Sequence, residues 1–256
     1  MLAVANYLIT GASAGLGRSL SRELCGRGHR VWGLARRKER LVELERELGA
    51  DRFLFSVCDV GQEADVRQVA EDVGHSNFGP DIIILNAGIN PECFGKPFLL
   101  KEFQHVVQVN LFGALAWVEL FLPVFRVRGS GQFVAISSLA AYRGDARWVA
   151  YSASKSALDR AFESFRGRHA REGVTFTIIH LGAVNVGMGL GARSLFTLTE
   201  KKAVRKILAA VERRVACITI PRYLRPFFEL ARILPDPLFS RLVVGLTLPS
   251  RGGNTQ

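Results

Sequence analysis

Cysteine is scarce in this sequence, and the patterns that would give it a structural role are missing. The four cysteines lie far apart and form no Cys-x-x-Cys pair, so we predict neither a disulfide framework nor a metal site. A reducing, cytoplasmic environment is the expectation. The first residues lack the basic segment and cleavage site of a signal peptide. No stretch reaches about 18 uncharged apolar residues, so a membrane-spanning helix is not expected.

Acidic residues are also few, and the imbalance is greatest towards the C-terminus. The 256 residues include 34 Lys and Arg against 23 Asp and Glu, a net charge of +11, and residues 200–256 contribute +7 of it. No nucleic-acid-binding module accompanies this charge, so we expect no nucleic acid partner. Hydrophobic residues make up 48% of the chain, enough for a sizeable core, which excludes a disordered or fibrous protein.

Short runs rich in Val and Ile alternate with longer helical patterns, which is typical of βαβ units. We therefore predict an α/β protein with a doubly wound Rossmann fold, in which helices cover both faces of a mostly parallel sheet of six or seven strands. The glycine-rich segment 182–199 is predicted to be a mobile loop. Residues 1–220 form the predicted catalytic domain, and 221–256 a basic, apolar extension of it with helical periodicity. The predicted strands are Ala3–Thr10, Arg30–Leu34, Phe53–Val57, Ile82–Leu85, Gln132–Ile136, Val174–His180 and Cys217–Ile220; the predicted long helices are Phe103–Phe125 and Val149–His169.

The first predicted strand runs directly into a glycine-rich turn, Thr10–Gly17, which precedes a helix. Glycines there let the backbone turn tightly and approach a pyrophosphate, which then rests at the positive end of the helix. The spacing is Gly-x-x-x-Gly-x-Gly rather than the general Gly-x-Gly-x-x-Gly. A plain tight turn is the alternative, but the position after the first strand of a βαβ unit favours a dinucleotide site.

The end of the second strand indicates which dinucleotide binds. An acidic residue there binds a ribose 2′-hydroxyl, whereas arginine accommodates a 2′-phosphate. This sequence has Ala35 followed by Arg36 and Arg37, so we predict NADP(H) in preference to NAD(H). Two solvated arginines at a helix entry are the alternative.

A serine, a tyrosine and a lysine form the predicted catalytic group. Tyr151 and Lys155 are four residues apart on a predicted helix and so share one face. A nearby ammonium favours the phenolate, and we expect it to lower the pKa of Tyr151. Ser138 ends the preceding strand, where its hydroxyl can hold a carbonyl oxygen. A Tyr-x-x-x-Lys surface pair is the alternative, but the upstream glycine turn and Ser138 argue against it.

With these motifs in place, the sequence resembles the classical short-chain dehydrogenase/reductase family over about Val4–Ile220. The resemblance implies that Tyr151 is the general acid, that Lys155 lowers its pKa and binds the nicotinamide ribose, and that Ser138 orients the substrate. It further implies that Asn110 holds a water in a proton relay and that the protein is a homo-oligomer, a dimer or a tetramer. The predicted cofactor contacts are Gly11, Ser13, Ala14, Gly15, Leu16, Gly17, Arg36, Arg37, Asp59, Val60, Asn86, Ala87, Gly88, Tyr151, Lys155, Val184 and Val186.

Two features depart from the family pattern. After the sixth strand the family usually has Pro-Gly and then a Thr beside the nicotinamide, but this chain has Leu181-Gly182 and Val186. Valine cannot donate a side-chain hydrogen bond, so the backbone amides of Val184 to Val186 are the predicted substitutes. The second departure is the basic extension after Pro221, which we interpret as a pocket lid, a peripheral attachment to an anionic membrane, or a subunit contact.

The sequence thus predicts an NADPH-dependent carbonyl reductase acting on a lipophilic ketone or aldehyde. An alcohol dehydrogenase that oxidises its substrate with the same residues is one alternative. A catalytically silent NADP-binding regulatory protein is another, although such a protein would be expected to lose Tyr151 or Lys155.

Overall fold

The computed structural model describes residues 4–91, 93, 97–144, 147–185, 197–235 and 237–238. Within them, strands and helices alternate along most of the chain. The strands are Asn6–Thr10 (β1), Arg30–Ala35 (β2), Phe53–Val57 (β3), Ile82–Leu85 (β4), Gly131–Ser138 (β5), Val174–Leu181 (β6), Val184–Asn185 (β7), Leu198–Thr199 (β8) and Cys217–Ile220 (β9). The helices are Gly15–Gly26 (α1), Lys38–Leu48 (α2), Glu63–His75 (α3), Leu100–Val107 (α4), Gly113–Arg128 (α5), Val149–Arg168 (α6), Glu200–Glu212 (α7) and Arg225–Ile233 (α8).

Seven of these strands form one parallel sheet in the order β3-β2-β1-β4-β5-β6-β9. The chain progresses outwards from β1 in one direction and from β4 in the other, so the strand order reverses between these two neighbours. Ligands of such sheets bind in the crevice beyond the carboxyl ends of the strands at that reversal. The predicted doubly wound fold is confirmed, and the sheet has the larger of the two expected strand numbers.

Each face of the sheet is covered by its own group of helices. On one face, α3, α5 and α6 bury side chains such as Val66, Trp117 and Phe162 against the strands. On the other, α1, α2 and α7 bury Leu20, Leu41 and others. Strands covered on both sides are apolar along their whole length, as β4 shows with four buried residues in succession.

The region Leu100–Arg128 is long and apolar enough, by length and composition, to cross a membrane. Its buried side chains, among them Trp117, Phe121 and Phe125, belong to the core beneath the sheet. Packing against the strands therefore accounts for much of its apolar character. The single helix predicted over Phe103–Phe125 is two helices, α4 and α5, joined by a π-helical turn at Gln108–Phe112.

Two predictions about irregular segments need correction or completion. Segment 182–199 is predicted to be a loop throughout, but Val184–Asn185 and Leu198–Thr199 form β7 and β8, which pair in parallel. Residues 186–196 lie outside the described part. The helical periodicity predicted after Pro221 does produce a helix, α8, and residues 239–256 of the extension lie outside the described part.

Candidate active site

Two adjoining hollows open at the carboxyl edge of the sheet. A cleft of about 400 Å³ lies over the ends of β1 and β2, and a cavity of about 650 Å³ lies beside Ser138, Tyr151 and Lys155. Asn86, Gly88 and Ile89 line both. The two groups of residues that the sequence predicted for cofactor and substrate are therefore neighbours in the fold.

The glycine turn is shaped for close approach of a ligand to backbone. Gly11 has a φ of 73°, a left-handed conformation that favours glycine. A Cβ at Gly17 would lie 2.3 Å from the carbonyl oxygen of Gly11, so no side chain fits where α1 packs on the turn. Helix α1 begins without a side-chain cap and has no acidic residue in its first turn. Its free N–H groups and positive end are thus suited to a phosphate group.

Positive charge lies at the far side of this cleft. The Arg37 guanidinium donates to Ser13 Oγ, with Nη2 at 3.0 Å and Nε at 3.2 Å, which ties the end of β2 to the glycine turn. Arg36 lies 3.6 Å from an Asp59 carboxylate oxygen and remains largely exposed. Burial, followed by the charges of Arg40 and Arg36, lowers the pKa of Arg37. This concentration of cations fits a phosphate at the cleft.

The remaining predicted cofactor contacts divide into those that line the cleft and those that do not. Thr10 Oγ1 accepts hydrogen bonds from the backbone N–H groups of Asn86 (3.0 Å) and Ala87 (2.9 Å), which fixes the β4 turn against β1. Leu16 and Gly17 lie within α1, Val184 lies in β7, and Tyr151 and Lys155 line the neighbouring cavity. None of these five lines the cleft, and Val186 lies outside the described residues. The predicted contacts that do line it are Gly11, Ser13, Ala14, Gly15, Arg36, Arg37, Asp59, Val60, Asn86, Ala87 and Gly88.

Ser138, Tyr151 and Lys155 meet at the floor of the larger cavity. Ser138 is the last residue of β5, and Tyr151 and Lys155 lie one turn apart near the start of α6. Ser138 lies close enough to Tyr151 to affect its pKa, and Ser138 Oγ accepts from the backbone N–H of Ala140 at 3.1 Å. Lys155 is buried, its Nζ lies 5.8 Å from the centre of the Tyr151 ring, and it donates to the carbonyl oxygen of Ile136 at 2.7 Å.

Burial controls the protonation of both groups. It raises the pKa of Tyr151, and the neighbouring Ser138 hydroxyl offsets part of that rise. Burial also lowers the pKa of Lys155 to about 8, against the opposing charge of Asp159. The expected net lowering of the Tyr151 pKa is wrong for this structure, because desolvation of the phenol is the largest effect on it and the pKa is raised.

Asn110 lies in the π-helical turn between α4 and α5, a kind of irregularity frequently found at functional sites. Its Oδ1 accepts from the backbone N–H of Ile89 at 2.8 Å, and its Nδ2 donates to the Ile89 carbonyl at 3.0 Å and to Ser154 Oγ at 3.1 Å. A Cβ at Gly88 would lie 3.3 Å from Asn110 Oδ1 and 3.6 Å from Lys155 Nζ. Asn110 and Lys155 therefore flank the same glycine.

Comparison with known proteins identifies the family. A sequence model of the short chain dehydrogenase family matches residues 5–194. The chain belongs to the short-chain dehydrogenase/reductase family. The predicted resemblance is thereby confirmed, and with it an oxidoreductase that binds a nicotinamide cofactor and acts on a small molecule.

Individual members of the family differ in how much is known of them. An uncharacterized oxidoreductase of Myxococcus xanthus is 32% identical over 91% of this chain and 93% of its own. An NADPH-dependent pterin aldehyde reductase of Arabidopsis thaliana is 33% identical over 72% of this chain and 77% of its own. A short-chain dehydrogenase structure from Streptomyces avermitilis has a TM-score of 0.80 at 24% identity, covering 96% of this chain and 100% of that one. The likeness to that structure supports the fold.

The outer wall of the cavity in this short-chain dehydrogenase is largely apolar and comes from two regions. Helix α8 and the residue after it contribute most of it, and Trp148 at the start of α6 adds an indole ring. The apolar spacing of α8 was visible in the sequence, but its position over the cavity was not. Arg143 and Trp148 lack any motif and were not predicted. The wall residues from the C-terminal segment are Phe227, Phe228, Leu230, Ala231 and Leu234.

A buried polar network lies behind Lys155 and was also missed. Asp159 follows Lys155 by one turn of α6, and its Oδ2 accepts from His180 Nε2 on β6 at 2.6 Å. The other ring nitrogen of His180 lies 3.1 Å from the Tyr142 hydroxyl and 3.5 Å from Cys217 Sγ. Both Asp159 and His180 are buried. In the sequence, the only indication that Asp159 lies near the site is that it follows Lys155 by four residues on the same predicted helix.

The network predicts how the stability of this short-chain dehydrogenase depends on pH. Burial lowers the pKa of His180, but hydrogen bonds with Asp159 and Cys217 outweigh it and raise the pKa to about 9. A group whose pKa is higher in the folded than in the unfolded state stabilises the protein fully at a pH below its unfolded-state pKa. This stabilisation is lost as the pH rises through the folded-state pKa. Between about pH 6.5 and 9, His180 should therefore contribute a fall of about 2–3 kcal/mol in the free energy of unfolding.

Denaturant unfolding of wild type and His180→Gln across this pH range measures that contribution. Deprotonation of buried Lys155 acts in the opposite direction and is common to both proteins, so the difference between them isolates His180. We expect the variant to be less stable at the acidic end and the gap to close towards pH 9. A gap that stays constant with pH would contradict the prediction.

Proposed function

We propose that this enzyme is an NADPH-dependent carbonyl reductase that acts on lipophilic ketones or aldehydes. The observation that carries the proposal is the meeting of Ser138, Tyr151 and Lys155 at the floor of an apolar cavity that adjoins the dinucleotide-shaped cleft. A general acid, a carbonyl-orienting hydroxyl and a buried amine in one place form a site for carbonyl chemistry.

The cofactor residues follow from the cleft. The glycine turn and the start of α1 would hold the pyrophosphate, Asp59 and Val60 would flank the adenine, and Arg36 and Arg37 would meet a 2′-phosphate. When bound, the nicotinamide supplies the hydride. Backbone amides of Val184 to Val186 remain the proposed substitute for the threonine of the family pattern.

Tyr151 is the proposed proton donor. Because burial raises its pKa, the phenol keeps its proton near neutrality and can give it to the carbonyl oxygen as the substrate is reduced. Ser138, which lines the same cavity, would hold that oxygen in position. Lys155, whose ammonium lies near the ring, would stabilise the phenolate that remains, and Asn110 would position the water that returns a proton to Lys155.

Two observations favour reduction of a lipophilic compound over the alternatives. The similar Arabidopsis protein is an NADPH-dependent pterin aldehyde reductase, which supports NADPH and the reductive direction. The apolar wall from α8 supports a lipophilic substrate, and it also supports the lid interpretation of the C-terminal extension. The membrane-surface and subunit-contact interpretations, and the homo-oligomer, stay predictions.

The proposal is tested by following NADPH oxidation against a panel of sterol, acyl, retinoid-like and small ketones and aldehydes. We expect turnover with at least one bulky apolar carbonyl compound and little with NADH. Turnover only of alcohols with NADP⁺ would establish the oxidative alternative instead. Tight NADPH binding without turnover of any carbonyl or alcohol would favour the silent regulatory protein.

A further inference from the structure

Helix α8 lies over the substrate cavity but has little of the packing that normally holds a helix in place. Of its nine residues, Ala231 alone is buried, while Phe227, Leu230 and Ile233 are more than half exposed. Helices of this length are marginal in water without tertiary contacts. Something other than core packing must therefore keep α8 at the cavity.

Arg143 makes contacts that can do so. This residue lines the cavity, and its Nη1 donates to the carbonyl oxygens of Ala231 at 2.8 Å and Leu234 at 2.7 Å. These carbonyls belong to the last turn of α8 and the residue after it, where backbone acceptors have no partner within the helix. A cation there also interacts favourably with the negative end of the helix dipole. Arg143 thus caps α8 from another part of the chain.

The segment that carries Arg143 is itself firmly attached to the catalytic region. Ser138 begins a short 3₁₀ turn, Leu139–Ala141, and Tyr142 follows directly. The Tyr142 hydroxyl lies 3.1 Å from His180 Nδ1 and 3.0 Å from Thr219 Oγ1, and its ring packs on Phe228 of α8 at a centroid distance of 5.9 Å. Arg143, whose guanidinium holds α8, therefore follows Ser138 by only five positions in the sequence.

We propose that Arg143 is the positioning residue that fixes α8 as the outer wall of the substrate cavity, and so favours elongated apolar carbonyl compounds whose far end packs on Phe227, Phe228 and Leu230. The inference rests on the proposed carbonyl reduction. A short carbonyl compound reaches Ser138 and Tyr151 without touching α8, whereas a long one needs the wall. Arg143 then acts on binding of long substrates and takes no part in proton or hydride transfer.

The test compares Arg143→Ala and Arg143→Lys with wild type on methyl ketones or aldehydes of increasing chain length. For Arg143→Ala we expect KM for the longest compounds to rise about tenfold, the equivalent of losing one charged hydrogen bond. For the shortest compounds, the rise in KM should be at least threefold smaller than for the longest. Lysine retains the charge and can donate to one carbonyl, so Arg143→Lys should recover part of the loss.

Arg128→Ala is the matched control. Arg128 also donates to two backbone carbonyl oxygens, those of Ser130 and Pro80, both at 3.0 Å, but at the amino ends of the strands and away from the cavity. It should leave the dependence of KM on chain length unchanged. A loss in Arg143→Ala that is equal for short and long substrates would overturn the proposal.

Trypsin provides a readout that does not depend on activity. Arg232 is an exposed residue of α8, and cleavage after it requires the helix to open. With wild type cut slowly, Arg143→Ala should be cut about tenfold faster at Arg232, and Arg128→Ala at the wild-type rate. An unchanged cleavage rate in Arg143→Ala would overturn the proposal that Arg143 holds α8 in place. This outcome can be read even if no carbonyl compound proves to be a substrate and the proposed function itself fails.

Discussion

Tyr151→Phe should lower kcat by about 10²–10⁴, the usual contribution of a general acid. The substitution keeps the ring in its place at the start of α6 and removes only the hydroxyl, whose pKa Ser138 affects. Affinity for NADPH should change little, because the cleft over β1 and β2 is lined by other residues. Steady-state kinetics with the best carbonyl substrate and a fluorescence titration of NADPH measure the two quantities.

Tyr223→Phe is a suitable control for that experiment. Tyr223 is exposed on the turn before α8 and does not line the cavity, so loss of its hydroxyl should leave kcat near the wild-type value. If Tyr151→Phe turned over substrate as fast as Tyr223→Phe, Tyr151 would not be the proton donor. If Tyr151→Phe also lost affinity for NADPH, the substitution would have disturbed the structure. The unfolding transitions of the variant and of wild type would then be compared.

Replacing Arg36 and Arg37 together by glutamine should weaken NADPH binding by a factor of about 10² or more and leave NADH nearly unaffected. A charge-assisted contact to phosphate contributes about 1.5–3 kcal/mol, and two such contacts are removed. NADH lacks the 2′-phosphate and so loses neither. The ratio of the two dissociation constants, measured by titration at fixed ionic strength, is the quantity to follow.

Arg40→Gln separates specific contact from general charge. Arg40 lies close enough to lower the pKa of Arg37, yet it does not line the cleft. Its loss should change NADPH affinity by less than about threefold, as expected for a charge screened by solvent. If the double variant bound NADPH and NADH more weakly by the same factor, Arg36 and Arg37 would not contact the 2′-phosphate.

Local sequence patterns were sufficient to predict much of the sheet and the floor of the site. Strands such as β4 are covered on both faces, so their residues are apolar without interruption and easy to recognise. The glycine turn and the Tyr151–Lys155 pair are defined by short spacings along the chain. Parallel topology then brings the ends of β1, β4 and β5 to one edge, which places these motifs together without further information.

The rest of the site depends on contacts between residues far apart in sequence. Arg143 meets Ala231 across 88 residues, and Asp159 meets His180 across 21; neither pair has a spacing that a motif could encode. The direction of the Tyr151 pKa was mispredicted for a related reason. A four-residue spacing reveals that an amine is near a phenol, but it does not reveal how deeply both are buried.

Asn86, Gly88 and Ile89 line both the cleft and the cavity. A molecule in either hollow therefore lies against the same short stretch of backbone, which gives the two binding events a way to influence each other. If a ligand in the cleft changes the affinity of the cavity for its own ligand by some factor, the ligand in the cavity changes the affinity of the cleft by the same factor. If a substrate in the cavity strengthens binding in the cleft, affinities measured for one ligand at a time would underestimate those of the ternary complex.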